Sequence, residues 1–235
     1  RDKVQSKLNE FMEYTMLTPR QFAGMIGFTK EEVAALCDTY EIDKAECARW
    51  YDGYKMSPTV DIYNPLSVVT AIRDRKFGSY WSQTGSFEAL KDYILLDFDG
   101  LREDVSTLMS GGSVEVDIYS FLNTMDSFRC KDDVFTYLIH LGYLSYNDED
   151  QTCHIPNEEV RQQWVISVKL EPDYKKLMEI VKASKKLLDD TINGNETAVA
   201  QALDAAHTEV TNPLTYNDEH CFQSAICLAY FYANT

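Results

Sequence analysis

The stretch KDDVFTYLIHLGYLSYNDEDQTCHIPN, residues 131–157, decides how this chain is read. Its first part, KDDVFTYLIHLGYL, reads as a helix that closes at Gly142. Its second part reads as two short strands around the acidic turn NDED, 147–150. A helix followed at once by a hairpin is the tail of a winged-helix unit. The next segment, NEEVRQQWV, opens another helix with Asn157 as its cap.

Towards the N-terminus the pattern stays helical. Val4, Leu8, Phe11 and Met12 lie near helical spacing within 3–16. In TPRQFAGMIG, 18–27, Thr18 is expected to cap a short helix, Pro19 to take its first turn and Gly27 to stop it. TKEEVAALCDTY, 29–40, opens with a capping box of Thr29 and Glu32. ECARWYDGY reads as a helix finished at Asp52-Gly53, where glycine can take the left-handed conformation. DIYNPLSVVTAIRDR, 61–75, reads as a short extended piece and then a helix begun by Asn64-Pro65. FEALKDYILLDF, 87–98, is a further helix. In GGSVEVDI, 111–118, Val114, Val116 and Ile118 alternate with Glu115 and Asp117, the pattern of a half-buried strand.

Towards the C-terminus the character changes near residue 170. Tyr174, Leu177, Met178, Val181 and Leu188 form one stripe. NGN, 193–195, breaks the chain. Val199, Ala202, Leu203, Ala206 and Val210 then recur at helical spacing, as do Phe222, Ala225, Ile226 and Ala229. The fold class expected is mostly α with a small β component (α+β): a helical lid with a winged-helix-like unit, followed by a helical segment.

Composition bounds the function. The chain has 235 residues, 22 basic and 38 acidic, for a formal net charge of −16. Residues 126–161 hold eight Asp or Glu against three Lys or Arg. A phosphate backbone would be repelled, which argues against direct DNA binding. The Lys-rich KKLMEIVKASKK, 175–186, reads as the solvated face of a helix. No apolar run approaches the ~18 residues that a membrane span needs. Six cysteines at 37, 47, 130, 153, 221 and 227 show no C-x-x-C spacing and read as reduced, partly buried thiols in a cytoplasm.

Catalytic motifs are sparse. The dipeptide Gly-Lys, which a phosphate-cradling P-loop requires, occurs nowhere. YILLDFDG, 93–100, superficially matches a Walker B strand but reads as a helix end. Cys153-His154 and His220-Cys221 are adjacent pairs that cannot easily ligate one metal together. No metal site and no catalytic residue is assigned. The remaining feature is RWYDGYKMSPTVDIYNP, 49–65. Its Trp50, Tyr51 and Tyr54 could stack on a ligand. The reading favoured is that they clamp a helix end to the next element, with Asp52 bonding the turn.

Seven segments occur in one order: GFTKEEV (27–33), RWYDGY (49–54), IYNPLSVV (62–69), YWSQTGS (80–86), LMSGGSVEVDI (108–118), LGYLSY (141–146) and IPNEEVR (155–161). This order resembles the bacterial AAA-ATPase-like proteins that carry a C-terminal PD-(D/E)XK nuclease-like domain. The resemblance covers roughly residues 14–165. The tail, from INGNETAVAQALDAAHTEV to AYFY, looks like the opening helices of the nuclease-like domain. Where the family often shows Trp after YNP, this chain has Leu66. The resemblance implies that 1–168 is the helical and winged-helix part that follows an ATPase core, and that 169–235 begins the nuclease-like domain. The P-loop and Walker B strand would precede this piece and the E-x-K motif would follow it. ATP and Mg are then implied for the parent protein and not for this chain, and the partners are the ATPase and nuclease-like cores of the same polypeptide. Trp50, Tyr51, Asp52, Gly53, Tyr54, Tyr63, Asn64 and Pro65 are the family signature, with a structural role expected. Glu219 falls where nuclease-like folds sometimes place an acidic residue on the first helix. The function expected is a non-catalytic lid that passes nucleotide state to the C-terminal domain. The alternative is a stand-alone acidic module that binds a protein partner.

Overall fold

The computed structural model describes residues 14–57, 59–81, 87–96, 98–119, 128–169, 171, 174–210 and 219–233. The helical pattern expected over 3–16 falls almost wholly outside them. The chain is mostly helical, with two small antiparallel sheets.

The first layer begins with a 3-10 turn, Arg20–Met25, and strand β1, Phe28–Thr29. Thr18 does not cap that turn. Pro19 holds the cap position, and the Thr18 hydroxyl instead bonds Thr15 (3.0 Å). Gly27 is dictated by crowding rather than by helix termination. A Cβ there would lie 2.7 Å from the Tyr63 carbonyl oxygen. Helix α1, Lys30–Tyr40, starts with the expected capping box: Thr29 accepts from the Glu32 N–H, and Glu32 accepts from the Thr29 N–H (2.9 Å). Helix α2 spans Lys44–Tyr51 and is capped by Asp43. Strands β2, Tyr54–Ser57, and β3, Val60–Tyr63, complete a sheet in the order β1-β3-β2, with Phe28 opposite Tyr63 and Tyr54 opposite Ile62. Helix α3, Pro65–Asp74, follows from Asn64 as anticipated.

Helix α4, Phe87–Ile94, ends before the acidic YILLDFDG tail, so that segment is a helix end. Helix α5, Leu101–Met109, leads into β4, Val114–Glu115. The alternation expected there holds in burial: Val114 and Val116 are buried and Glu115 and Asp117 exposed. Helix α6, Lys131–His140, is followed by β5, Ser145–Asn147, and β6, Thr152–His154, which turn at the acidic tip. These strands form the second sheet in the order β4-β6-β5. Helix α7, Glu158–Val168, starts at Asn157. The tail is α8, Lys175–Ile192, α9, Glu196–Val210, and α10, Glu219–Ala229. On α8 the buried stripe runs through Leu177, Met178, Val181 and Leu187 rather than Leu188, while Lys182, Lys185 and Lys186 face solvent. No helix among the described residues is long and apolar enough to cross a membrane.

The buried apolar residues form two clusters. The smaller holds Val33, Cys37, Cys47, Tyr51, Tyr63, Val68 and Ala71, contributed by α1, α2, β3 and α3. The larger runs from β2 through α4–α7 into the tail, joining Leu90, Phe135, Trp164 and Val168 to Tyr174, Leu177 and Leu228. It continues without a break across residue 168. The hydroxyl of Tyr174 donates to the Ile94 carbonyl (2.7 Å) on the far side of that position.

Candidate functional site

The segment WYDGY forms the corner between the two clusters. Helix α2 ends as its Asp52 N–H bonds the Ala48 carbonyl, with Asp52 itself extended. The Asp52 carboxylate then organises the turn. Its Oδ1 accepts from the Gly53 N–H (2.7 Å) and its Oδ2 from the Tyr63 hydroxyl (3.0 Å). Gly53 sits at φ +104°, and a Cβ there would lie 2.0 Å from the Pro156 carbonyl oxygen. Only glycine lets the chain from α2 pass so close to the chain entering α7. Asn157 seals the contact by donating from Nδ2 to the Asp52 carbonyl (2.8 Å) while its Oδ1 caps α7 through the Val160 N–H (3.0 Å).

Each tyrosine of the signature is spent on a specific partner. Tyr51 is fully buried; its hydroxyl donates to the Gly78 carbonyl (3.0 Å) and accepts the Gly78 N–H (3.1 Å). Tyr54 donates to the Gly142 carbonyl (2.8 Å), bridging to the turn that ends α6. Burial pushes the phenol pKa values of Tyr51, Tyr54 and Tyr63 well above the ordinary range, so all three remain protonated donors. Trp50 is half-buried under the Arg49 guanidinium, 5.5 Å from its ring centre. Asn64 accepts from the Leu66 N–H (3.0 Å), and Pro65 takes the first position of α3. The three tyrosines therefore act as a clamp, with their hydroxyls bonded within the fold.

Beside it lies a group that the sequence reading did not single out. Glu159, on the first turn of α7, is 1% exposed. Its Oε1 accepts from the Ser67 hydroxyl (2.9 Å), the Tyr80 N–H (2.7 Å) and the Trp81 N–H (2.8 Å). Burial raises its carboxyl pKa, and the bonds from Trp81, Ser67 and Tyr80 pull the other way. Ser67 belongs to IYNPLSVV, Tyr80 and Trp81 to YWSQTGS, and Glu159 to IPNEEVR. The Trp81 ring packs on Tyr143 of LGYLSY at 4.8 Å, and the Trp164 indole donates to the Tyr143 carbonyl (3.1 Å). Segments up to 92 positions apart thus bond at one junction.

Comparison with family models, curated proteins and solved structures finds no match.

Two residues on from Glu159, Arg161 points to the other side of α7. Its guanidinium lies 3.9 Å from Glu158 and over the Phe231 ring, 5.9 Å from its centre. One helical turn therefore touches the N-terminal helices through Glu159 and the C-terminal tail through Arg161. Gln163 and Ser167 continue the Glu159 face at four-residue spacing, both buried, with Gln163 donating to the Ser79 hydroxyl. Among the described residues, no three His, Cys, Asp or Glu side chains gather as metal ligands. Glu219 begins α10, and its side chain lies outside those described. Glu159 went unremarked because NEEVR looks like an ordinary acidic first turn, which favours carboxylates through the helix dipole. What sets Glu159 apart is that its neighbours in space present the N–H groups of Tyr80 and Trp81, which donate to it.

Proposed function

We propose that this chain is the coupling region of a nucleotide-driven protein of the AAA-ATPase-like kind with a nuclease-like tail. On this reading its residues transmit and shape rather than catalyse. ATP and Mg would bind in the ATPase core of the same polypeptide, and the nuclease-like core would receive the signal, inside a cytoplasm. Residues 1–168 would form the lid and 169–235 the first helices of the nuclease-like domain. The motif order supports the family. The observation that carries the coupling role is the first turn of α7, where Glu159 and Arg161 engage opposite sides of the molecule. A displacement of the N-terminal helices would pull on the Tyr80 and Trp81 amides and, through the stiff helix, move the contact with Phe231.

Sequencing the gene past both ends tests the assignment. A P-loop upstream and an acidic strand with E-x-K downstream support it. Flanks with neither overturn it and favour an acidic protein-binding module. Mg-ATP turnover by the isolated chain that survives successive purification steps would also overturn it.

A further inference from the structure

Strands β2 and β5 are edges of different sheets, and together they line one cleft of about 310 Å³. All of β2 lines it, as do residues 144–149, which take in β5 and the start of its acidic turn. Residues 16–20 line it as well, in a segment folded upon itself. There the Tyr14 ring meets Phe22 edge-on (4.7 Å), and the Tyr14 hydroxyl accepts from Gln21 (3.0 Å). Among the described residues no ladder joins β2 to β5. Side-chain bonds link the two edges instead. The Lys55 N–H donates to the Ser145 hydroxyl (3.4 Å), and Lys55 Nζ pairs with Glu149 (3.4 Å). The β2–β3 register also shifts between Lys55 and Ser57. Such a shift bends a strand out of line with its neighbours, which keeps the two sheets from zipping into one.

An edge strand turns the N–H and C=O groups of alternate residues away from its own sheet. In this cleft such groups stand beside apolar side chains, since the buried Met56, Ile139 and Leu144 contribute to the lining. The charged residues that line it are Arg20, Lys55, Asp148 and Glu149. Lys55 and Glu149 are paired with each other. Asp148 is exposed, forms no ion pair among the described residues, and is followed by Asp150 on the same turn. The turn end of the cleft is therefore negative.

We propose that this cleft is a binding site for a peptide in extended conformation, with basic residues where it meets the turn at 147–150. The peptide backbone bonds the outward groups of the two edges, alternate side chains enter the apolar part, and a Lys or Arg pairs with Asp148. At about 3.3 Å per residue, a segment of about five residues spans β5 and its turn. A second copy of this chain fits poorly, because it would bring a net charge of −16 to an acidic turn. Neither Glu159 nor Arg161 lines the cleft, so the site stands apart from the coupling proposed for α7.

The test selects phage-displayed random nonapeptides on the folded full chain and measures the synthetic winners by fluorescence anisotropy. The winners should alternate apolar residues, carry Lys or Arg towards one end, and bind with a Kd of about 10 µM that weakens with salt. Methylating their backbone nitrogens should weaken binding about tenfold or more, since it removes the donors that an edge strand needs. Asp148→Lys should weaken it about tenfold. Hydrogen exchange with bound peptide should slow at 54–57 and 144–149. No enrichment over bare beads, winners without basic residues, affinity indifferent to methylation and to Asp148→Lys, or protection confined to other segments would overturn the proposal. Peptide methylation and the exchange map leave the protein unaltered, so they decide the matter even if the variant misfolds.

Discussion

Gly53 and Glu159 are the two residues whose replacement the structure constrains most tightly. Gly53→Ala would press a methyl into the Pro156 backbone at 2.0 Å, in a backbone conformation that L side chains rarely adopt. Backbone cannot step aside as a flexible side chain can, so the corner must open. The expected loss is about 2–4 kcal/mol of stability, measured by urea unfolding. At Glu159 the charge is the issue. Its folded pKa is raised, so the native state holds the proton more tightly than the unfolded chain. The ionisation penalty is absent below the unfolded-state value. It grows as pH rises from the ordinary carboxylate range to the raised folded value, and is constant above that. Stability should fall across the window by at most about 1.4 kcal/mol per pH unit. Glu159→Gln keeps a carbonyl acceptor and removes the proton. Unfolding curves taken at a series of pH values should lose this slope in the variant. An unchanged slope would assign the effect to another carboxylate.

At the scale of elements, capping was legible and short strands were not. Asn64, Asn157 and the Thr29–Glu32 box were read correctly, because a cap is a local hydrogen bond between near neighbours. Strands β1 and β2 escaped notice. A strand of two to four residues offers no period, and YKMS looks like turn material after an Asp-Gly. Its alternation of buried Tyr54 and Met56 acquires meaning only when β3 lies alongside. The short helix expected over 18–27 is present as a 3-10 turn, Arg20–Met25, without the Thr18 cap. The two asparagine caps now separate by what else they do. Asn64 only caps α3, whereas Asn157 also donates to Asp52 across the corner. Asn64→Ala should therefore cost about 1 kcal/mol and Asn157→Ala about twice that. Paired thermal melts of the two variants give the comparison, and equal losses would mean that the bond to Asp52 contributes little.

For the molecule as a whole, the two apolar clusters raise the question of what makes them act together. Apolar contact alone would let the smaller cluster of α1–α3 open by itself, since it is small and mostly closed upon its own helices. The bonds that cross to the larger cluster are polar: Glu159 to Ser67 and Tyr80, and Asn157 to Asp52. None of these pairings was legible in the sequence, because each joins residues 79 to 105 positions apart, except that the segments carrying them stood out as motifs. Glu159 holds the largest share of these bonds. Glu159→Ala leaves two part-buried backbone N–H groups and a buried hydroxyl without their acceptor, at a cost of about 2–4 kcal/mol. That cost should not fall evenly. Hydrogen exchange followed by mass spectrometry should show faster exchange in α1, α2 and α3 of the variant, with α5 and α6 still protected almost as in the wild type. Equal acceleration everywhere would mean that the chain unfolds as one unit whatever happens at this carboxylate. Glu159 would then be a stabilising residue without a part in coupling. Selective acceleration would mean that the first turn of α7 is the joint through which one half of the molecule senses the other.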